Sequence, residues 1–384
     1  MSGISINERP FFSVCIPCFN HADYVGKTIR SVLEQDFADF EIVIADNAST
    51  DDSRAVIKSF GDPRIRLIEN RYNIGFAPNL QRVTQYARGR YINLVSSDDL
   101  MNAGALRAYA DLIAQHPQES AQLVLMSQAL EIDGHDRITR YVDKNQGSLA
   151  PKFRDMPAAD EILQAPYFET HRGRDVFAQC MRDFNTAGVF CSVVYARELW
   201  ESIEGYNSTQ QFNPDKHFIL KLLRTDPTVI FVNRPLYSYR RHQLGQAGQS
   251  QRAKVLRFQI DQYSYLLQFD EQWLAGTGVT PEHQRKLFIN RDCLDHALVA
   301  AAEGDWTFAT RLLAFAWSAY PGTVIRQRKA WALFAMLATG PLGKVCARLC
   351  RSLYRIKRSR TTAARSVIQP RLDRQYRLSG AGGE

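Results

Sequence analysis

Tyr91-Ile92-Asn93-Leu94-Val95 runs without a break into Ser96-Ser97-Asp98-Asp99. A short, largely apolar run of this length reads as a buried strand. Two adjacent carboxylates at its end are costly to hold together unless their charge is compensated. A divalent cation holding a diphosphate is one such compensation, because hard cations take oxygen ligands and share them with phosphates. A plain turn or helix cap is the other reading of an isolated Asp-Asp. The segments on either side decide between the two.

From residue 11 to this point, strand and helix alternate. Phe12 to Ile16 is an apolar strand ended by Pro17. Val25, Ile29, Val32 and Leu33 recur at helical spacing and predict a helix over about 22–35. Glu41 to Ala45 is the next strand and ends at Asp46, and Ser49-Thr50-Asp51-Asp52 has the composition of a helix start. Arg64 to Ile68 is a third strand, and Leu80, Val83 and Ala87 mark a helix expected to stop at Gly89. After the 91–95 strand, Leu106, Tyr109, Ala110 and Ile113 mark a further helix. This alternation predicts an α/β fold with a mostly parallel sheet flanked by helices. Ligands of such sheets sit beyond the carboxyl ends of the strands, where Asn20, Asp46 and Asp98 all fall.

Beyond residue 120 the pattern changes. Gln122 to Ile132 reads as a strand, and the Asp133-Gly134 turn after it predicts a hairpin. Residues 141–170 lack periodicity, hold three prolines and are expected to form a loop over the site. A helix near 173–182, a strand near 189–195, helices near 196–203 and 215–224, and a strand from Thr228 to Val232 follow. After about 251 the chain reads as all-helical, with 282–303 and 305–319 split by Gly304 into a single hairpin of the tetratricopeptide kind. Cys346, Leu349, Leu353 and Ile356 interleave with Arg348, Arg351, Arg355 and Lys357 as a basic amphipathic helix. The expected organisation is an α/β domain over 1–250, in two parts at 11–120 and 121–250. An α-helical extension over 251–343 and a basic tail over 344–384 complete it.

Bulk composition bounds the rest. The chain has 384 residues, 45% of them hydrophobic, enough to bury a sizeable core. Met1 to Pro10 lacks the apolar run of a signal peptide, and the longest membrane-span candidate, Ala330 to Gly343, is too short and is interrupted by Gly340-Pro341. Seven cysteines, an odd number, fit a reduced, cytoplasmic chain. Cys15 and Cys18 have the spacing of a redox pair, but their place in and just after an apolar strand favours a structural role. Of the net charge of +8, the tail from Lys344 to Glu384 carries +9, leaving −1 for the body. Such a tail suggests an anionic partner, membrane lipid or nucleic acid. Nucleic acid is disfavoured because no stacking pattern or recognised motif accompanies the charge.

Four segments in order resemble family 2 glycosyltransferases of the inverting kind, built on a GT-A fold. Ser13-Val-Cys-Ile-Pro-Cys-Phe-Asn20 resembles their opening strand and turn. Phe40 to Asp52, with Asp46 and the Ser49-Thr50-Asp51 turn, resembles their second strand, and Asn73-Ile74-Gly75 with Asn79 resembles their Asn-x-Gly helix start. Ser96-Ser97-Asp98-Asp99 stands where the family has its metal-binding acidic motif. The likeness spans about 11–245 and is most specific over 11–100. Departures are Ser96 in place of a third acid, Asn47 in place of a common Asp, and Pro214-Asp215 where Glu-Asp is usual. The Gln-x-x-Arg-Trp motif of processive synthases is missing, because Ala330 stands where Arg would be needed in Gln327-Arg328-Lys329-Ala330-Trp331.

The resemblance implies sugar transfer from a nucleotide-diphosphate donor, UDP- or GDP-linked, to a hydroxyl of a glycan or lipid-linked acceptor in surface polysaccharide synthesis. Pro17, Cys18, Asn20, Asp46, Asn73, Asn79 and Asp98 are expected around the nucleotide. Asp98, Asp99 and His242 are expected to hold Mg²⁺ or Mn²⁺, one acid ligating directly and the other contacting ribose or a metal-bound water. Asp215 is the expected general base, with His217 as its rival and a plain helix start as the alternative. In Tyr239-Arg240-Arg241-His242, either arginine could offset phosphate charge. The tail would place the chain in the cytoplasm, peripheral to the inner membrane face. A silent nucleotide-sugar-binding module and a nucleotidyltransferase are the rival readings, although the latter would show a glycine-rich loop where Pro17 to Asn20 stands.

Overall fold

The computed structural model describes residues 9–145, 147–207, 214–242, 256–269 and 271–339. Among these, the chain divides into two compact units: residues up to 177 with 186–242, and 178–185 with the described residues after 242. The tail 344–384 and its expected amphipathic helix lie outside the described residues.

The first unit is organised by one sheet. Strands β1 (Phe12–Cys18), β2 (Phe40–Asp46), β3 (Ile65–Glu69) and β4 (Tyr91–Leu94) form its parallel part, in the order β3-β2-β1-β4. Every residue of β1, β2 and β4 is buried, which explains their continuous apolar sequence. Helix α1 (Ala22–Leu33) follows β1, α2 (Ser53–Lys58) follows β2, and α3 (Phe76–Gln85) packs on β1 and β2. Helix α3 ends at Gln85, not at Gly89. Gly89 is required for a different reason: a Cβ there would lie 2.5 Å from the Ser13 nitrogen. Its own N–H donates to Ser13 Oγ at 2.7 Å, and Ser13 in turn donates to buried Glu41.

The sheet continues as β10 (Val194–Ala196), β6 (Leu123–Ile132), β11 (Thr228–Arg240) and β5 (Leu100–Met101), and here it is mixed. β10 is antiparallel to both β4 and β6, whereas β6 and β11 are parallel. The expected hairpin is present, with β7 (Ile138–Lys144) returning against β6. The expected 141–170 loop is instead built from the end of β7, β8 (Pro151–Arg154), α5 (Ala159–Gln164) and β9 (Phe168–Arg172). β8 and β9 are only partly buried and carry no clean apolar alternation, so periodicity does not reveal them. Helices α4 (Ala105–Gln115), α6 (Gly173–Asp183), α7 (Arg197–Ser202) and α8 (Pro214–Arg224) lie where helical spacing places them.

β11 differs most from the sequence expectation. It does not stop at Val232 but passes through register shifts around Pro235 and continues to Arg240. Proline lacks an N–H to donate to the ladder, so the strand accommodates it at an irregularity. This extension carries Tyr239 and Arg240 as strand residues and delivers His242 just beyond them.

The second unit is helical among its described residues. It comprises α9 (Arg257–Gln268), α10 (Glu271–Leu274), α11 (Pro281–Leu287), a π-helical stretch (Phe288–Asp295), α12 (His296–Glu303), α13 (Trp306–Ala319), α14 (Pro321–Val324) and α15 (Arg328–Ala338). Gly304, at φ +86°, closes α12 in the left-handed conformation, and Asp305 caps α13 through the Phe308 N–H. No helix among the described residues is long and apolar enough to cross a membrane.

Candidate functional site

The carboxyl ends of β1 and β2 are stitched together before any ligand is considered. Cys18 is in register with Asp46, and the Asn47 N–H donates to the Cys18 carbonyl at 2.8 Å. Asp46 is fully buried: Oδ2 accepts the Ser49 N–H at 3.1 Å and lies 3.7 Å from Arg54 Nε, while Oδ1 has no hydrogen-bond partner. A buried carboxylate oxygen left open costs free energy unless a donor reaches it. Pro17 stands one residue earlier, in register with Ala45.

The four asparagines around this strand end bind one another. Asn47 Nδ2 donates to Asn73 Oδ1 at 2.9 Å and to the Gly75 carbonyl at 3.1 Å, and Asn47 Oδ1 accepts from Asn70 and the Ile74 N–H. Asn79 accepts from Asn70 at 2.8 Å and donates to the Ala45 carbonyl at 3.0 Å. Asn73 and Asn79, expected at the nucleotide, are therefore engaged in holding the turn. Asn47 acts here as a two-way donor, which an aspartate in its place could not do.

The loop after β1 is pinned to the loop after β2. Asn20, at φ +53°, accepts the Thr50 N–H through Oδ1 at 2.8 Å, and its own N–H donates to Ser49 Oγ. The His21 N–H donates to Ser53 Oγ and the Ala22 N–H to Asp51 Oδ2. Ala48 sits at φ +58°, a conformation unfavourable for a residue with a Cβ, next to Asp46. Cys15 and Cys18 are both buried free thiols, and burial, chiefly, pushes both thiols up. Neither is poised as a thiolate.

At the end of β4 the two adjacent acids take different surroundings. Asp98 Oδ2 lies 2.9 Å from His242 Nε2, and His21 completes a group in which one ligand atom from each of His21, Asp98 and His242 lies within 4.8 Å of the others. His21 Nδ1 is 2.7 Å from Ser97 Oγ, so Ser97 orients the ring. Asp99 lies outside this group, although sequence reasoning set it among the metal ligands. It is fully buried, its Oδ1 accepts the Arg240 N–H at 2.8 Å, and Oδ2 has no hydrogen-bond partner of normal geometry, although the Cys191 thiol lies beside it. Burial, then the neighbouring Asp98 charge, pushes the Asp99 carboxyl well up. Arg240 is also committed: Nε donates to the Asp98 carbonyl at 2.6 Å, Nη1 reaches the Asp133 carbonyl and Asp136, and the guanidinium stacks on Tyr24. Its Nε thus fixes the 98–99 turn while its buried Nη2 has no hydrogen-bond partner, and Arg241 lies 3.6 Å from Glu131.

His21 is absent from the sequence expectation. Its only signal there is its place directly after Asn20, at the carboxyl end of the first strand. Two imidazoles and one carboxylate form a donor set suited to a first-row divalent cation, and the buried Nδ1 of His242 has no hydrogen-bond partner. The residues present therefore fit a metal of the expected kind.

Asp215 stands half-buried in the first turn of α8. Its charge, after burial, raises the phenol of Tyr206, whose ring stacks on Phe218 at 3.8 Å. Burial, chiefly, pushes His217 down to about 4, with the Lys221 charge adding, so its imidazole is neutral near pH 7.

The model for glycosyl transferase family 2 matches residues 13–172. Those residues form a family 2 glycosyl transferase domain. Over 157 residues the chain is 31% identical to an uncharacterised protein of Mycobacterium tuberculosis, covering 38% of this chain and 48% of that one. Over 104 residues it is 32% identical to the UDP-Glc:α-D-GlcNAc-diphosphoundecaprenol β-1,3-glucosyltransferase WfgD of Escherichia coli, covering 27% of this chain and 41% of that one. The chain thus spans less than half the length of these curated relatives. A crystal structure of S. aureus TarS 1–349 in complex with UDP-GlcNAc superposes with a TM-score of 0.51 at 14% identity, covering 90% of this chain and 92% of that one. At that identity the fold is what is shared: a GT-A-like glycosyl transferase sheet with a helical C-terminal region.

Proposed function

We propose that this chain transfers a sugar from a nucleotide-diphosphate donor, with inversion, to a hydroxyl of a glycan or lipid-linked acceptor, one sugar per encounter. The observation that carries the proposal is the convergence of His21, Asp98 and His242 at the end of the sheet where Asp46 holds an open carboxylate oxygen. A uridine diphosphate donor is favoured over guanosine, because WfgD is named for UDP-Glc and TarS is bound to UDP-GlcNAc. A lipid-linked acceptor is favoured because WfgD is named for a diphosphoundecaprenol substrate.

In this reading Asp46 Oδ1 accepts an N–H of the base, and the pinned Pro17–Asn20 turn shapes the floor under it. Asp98, His242 and His21 would hold Mn²⁺ or Mg²⁺, which when bound offsets the charge of the leaving diphosphate. Asp99 and Arg240 position Asp98. Asp215 takes the proton of the acceptor hydroxyl while that oxygen bonds to the anomeric carbon, and the bond from that carbon to the diphosphate oxygen breaks on the opposite face. The basic tail, outside the described residues, brings the chain to the inner membrane face where such acceptors lie.

The test is transfer by the purified full chain. It is offered UDP-Glc, UDP-GlcNAc and a GDP-sugar with a polyprenyl-diphosphate-linked GlcNAc acceptor, and the product's anomeric configuration is read by NMR. A single added sugar of inverted configuration is expected. Donor binding without transfer or hydrolysis across the panel would instead favour the silent binding module, a reading to which Ser96, in place of an acid, gives some support. Asp215→Asn is expected to lower turnover by about 10²–10⁴ while leaving UDP affinity within about twofold. Unchanged turnover would remove Asp215 as the base.

A further inference from the structure

Two helices of the second unit expose apolar faces that carry basic residues and no acid. On α13 the exposed stripe is Thr307, Thr310, Arg311, Ala314, Trp317 and Ser318, and on α15 it is Arg328, Trp331, Ala332, Ala335 and Ala338. Trp317 is 44% exposed, Trp331 57% and Ile325 48%. They are not scattered. Phe334 lies 6.0 Å from each tryptophan ring, and Trp331 Nε1 donates to the Ile325 carbonyl at 2.8 Å, so the four side chains belong to one patch. A solvated helix face ordinarily carries charges of both signs, and a contiguous exposed apolar patch marks an interaction surface.

Charge identifies the partner. From Trp306 to Thr339 the sequence contains no Asp or Glu, against Arg311, Arg326, Arg328 and Lys329. Arg311, Arg326 and Arg328 are exposed beside the aromatic patch, and Arg326 pairs with the exposed Glu282 at 3.3 Å. Aromatic side chains that seat at an interface, ringed by cations with long apolar stems, are the composition of a surface that lies on lipid headgroups. A protein partner of matching shape would not require thirty-four successive residues free of acid, whereas each acid near an anionic bilayer opposes binding.

We infer that the Trp317–Ile325–Trp331–Phe334 patch, with Arg311, Arg326 and Arg328, docks this unit onto an anionic lipid bilayer. The patch belongs to the second unit, shares no residue with those proposed for sugar transfer, and does not depend on that reading. It is also distinct from the tail, because every residue in it precedes residue 344.

The experiment uses the full chain and vesicles of phosphatidylcholine alone or with one-quarter phosphatidylglycerol, some brominated in the acyl chains. Co-sedimentation is expected to favour the anionic vesicles by at least tenfold, and brominated lipid is expected to quench tryptophan fluorescence. The W317A/W331A variant, tail intact, should lose at least tenfold in partitioning and most of the quenching. Should that variant fold poorly by circular dichroism, R326E/R328E replaces it, since both side chains are exposed, and the same loss is expected. Wild-type partitioning by R326E/R328E and by a folded W317A/W331A would overturn the inference and leave the tail as the sole lipid contact. So would binding that ignores lipid charge, or a wild-type dimer dispersed to monomer by W317A/W331A without lipid.

Discussion

Asp98 and Asp99 are chemically identical neighbours in different surroundings, and that difference sets what each can do. Asp98 keeps one oxygen toward two imidazoles, whereas Asp99 is bound to the Arg240 N–H within the core. Nitrogen donors shift the preference of such a site from Mg²⁺, which seeks an all-oxygen octahedron, toward Mn²⁺. Asp98→Ala and His21→Ala should therefore each weaken Mn²⁺ binding by about tenfold or more, read from free Mn²⁺ by electron paramagnetic resonance. His21→Ala should narrow the gap between Mn²⁺ and Mg²⁺, and an unchanged gap would take His21 out of the ligand set. Ala48 offers a second residue-scale test. At φ +58° it bears the cost of a Cβ in the left-handed region. Glycine relieves that cost but gains freedom in the unfolded chain. Ala48→Gly should raise stability by roughly 0.5–1 kcal/mol in urea denaturation, and a loss would show that the turn around Asp46 is not strained.

Among elements, the junction of α3 with β4 shows what a single atom can decide. A Cβ at Gly89 would sit 2.5 Å from the Ser13 nitrogen and 2.6 Å from the Phe12 carbonyl carbon. Both are backbone atoms of the central strand and cannot swing aside. Gly89→Ala should cost about 1–3 kcal/mol, measured as a lower denaturation midpoint with unchanged slope, and a neutral result would show that β1 and β4 can part without penalty. That close approach was not legible in the sequence, where Gly89 reads as a helix stop. Of the four parallel strands, β1, β2 and β4 were legible because they are buried along their whole length and therefore apolar, and the partly buried β3 through its place in the strand–helix alternation. β8 and β9 were not, since partly exposed strands carry mixed residues. β11 was legible only to Val232, because Pro235 disguises a strand that resumes in shifted register. The site follows the same division. Asp46 and Asp98 announce themselves at strand ends, but His21 and His242 meet only through the pairing of distant segments. Likewise, Asn47, Asn70, Asn73 and Asn79 reveal their mutual bonds only once β2, β3 and α3 are in place.

At the scale of the whole molecule, the protonation of buried groups ties stability to pH, and His217 sets the expected window. Unfolded, its imidazole titrates near the ordinary histidine value of about 6.5. Folded, burial and the Lys221 charge push it down to about 4. Between those values the unfolded chain holds a proton that the native chain does not, so stability rises with pH in this range and is lost as pH falls through it. The full shift corresponds to roughly 3 kcal/mol, of which about 2 kcal/mol falls between pH 7 and pH 5. The partly buried Asp136 acts in a lower window. Burial alone would raise Asp136, but Lys27 and Arg240 outweigh it and hold the carboxyl below its ordinary value, so its contribution persists until pH falls below the usual carboxylate range. The His217 and Asp136 effects therefore separate. Urea denaturation of the full chain at pH 7 and pH 5, followed by far-ultraviolet circular dichroism, should show the loss. His217→Gln, uncharged at both values, should recover most of it. If the variant loses as much as the wild type between those pH values, the native imidazole takes up its proton as readily as the unfolded one, and α8 holds His217 in contact with solvent.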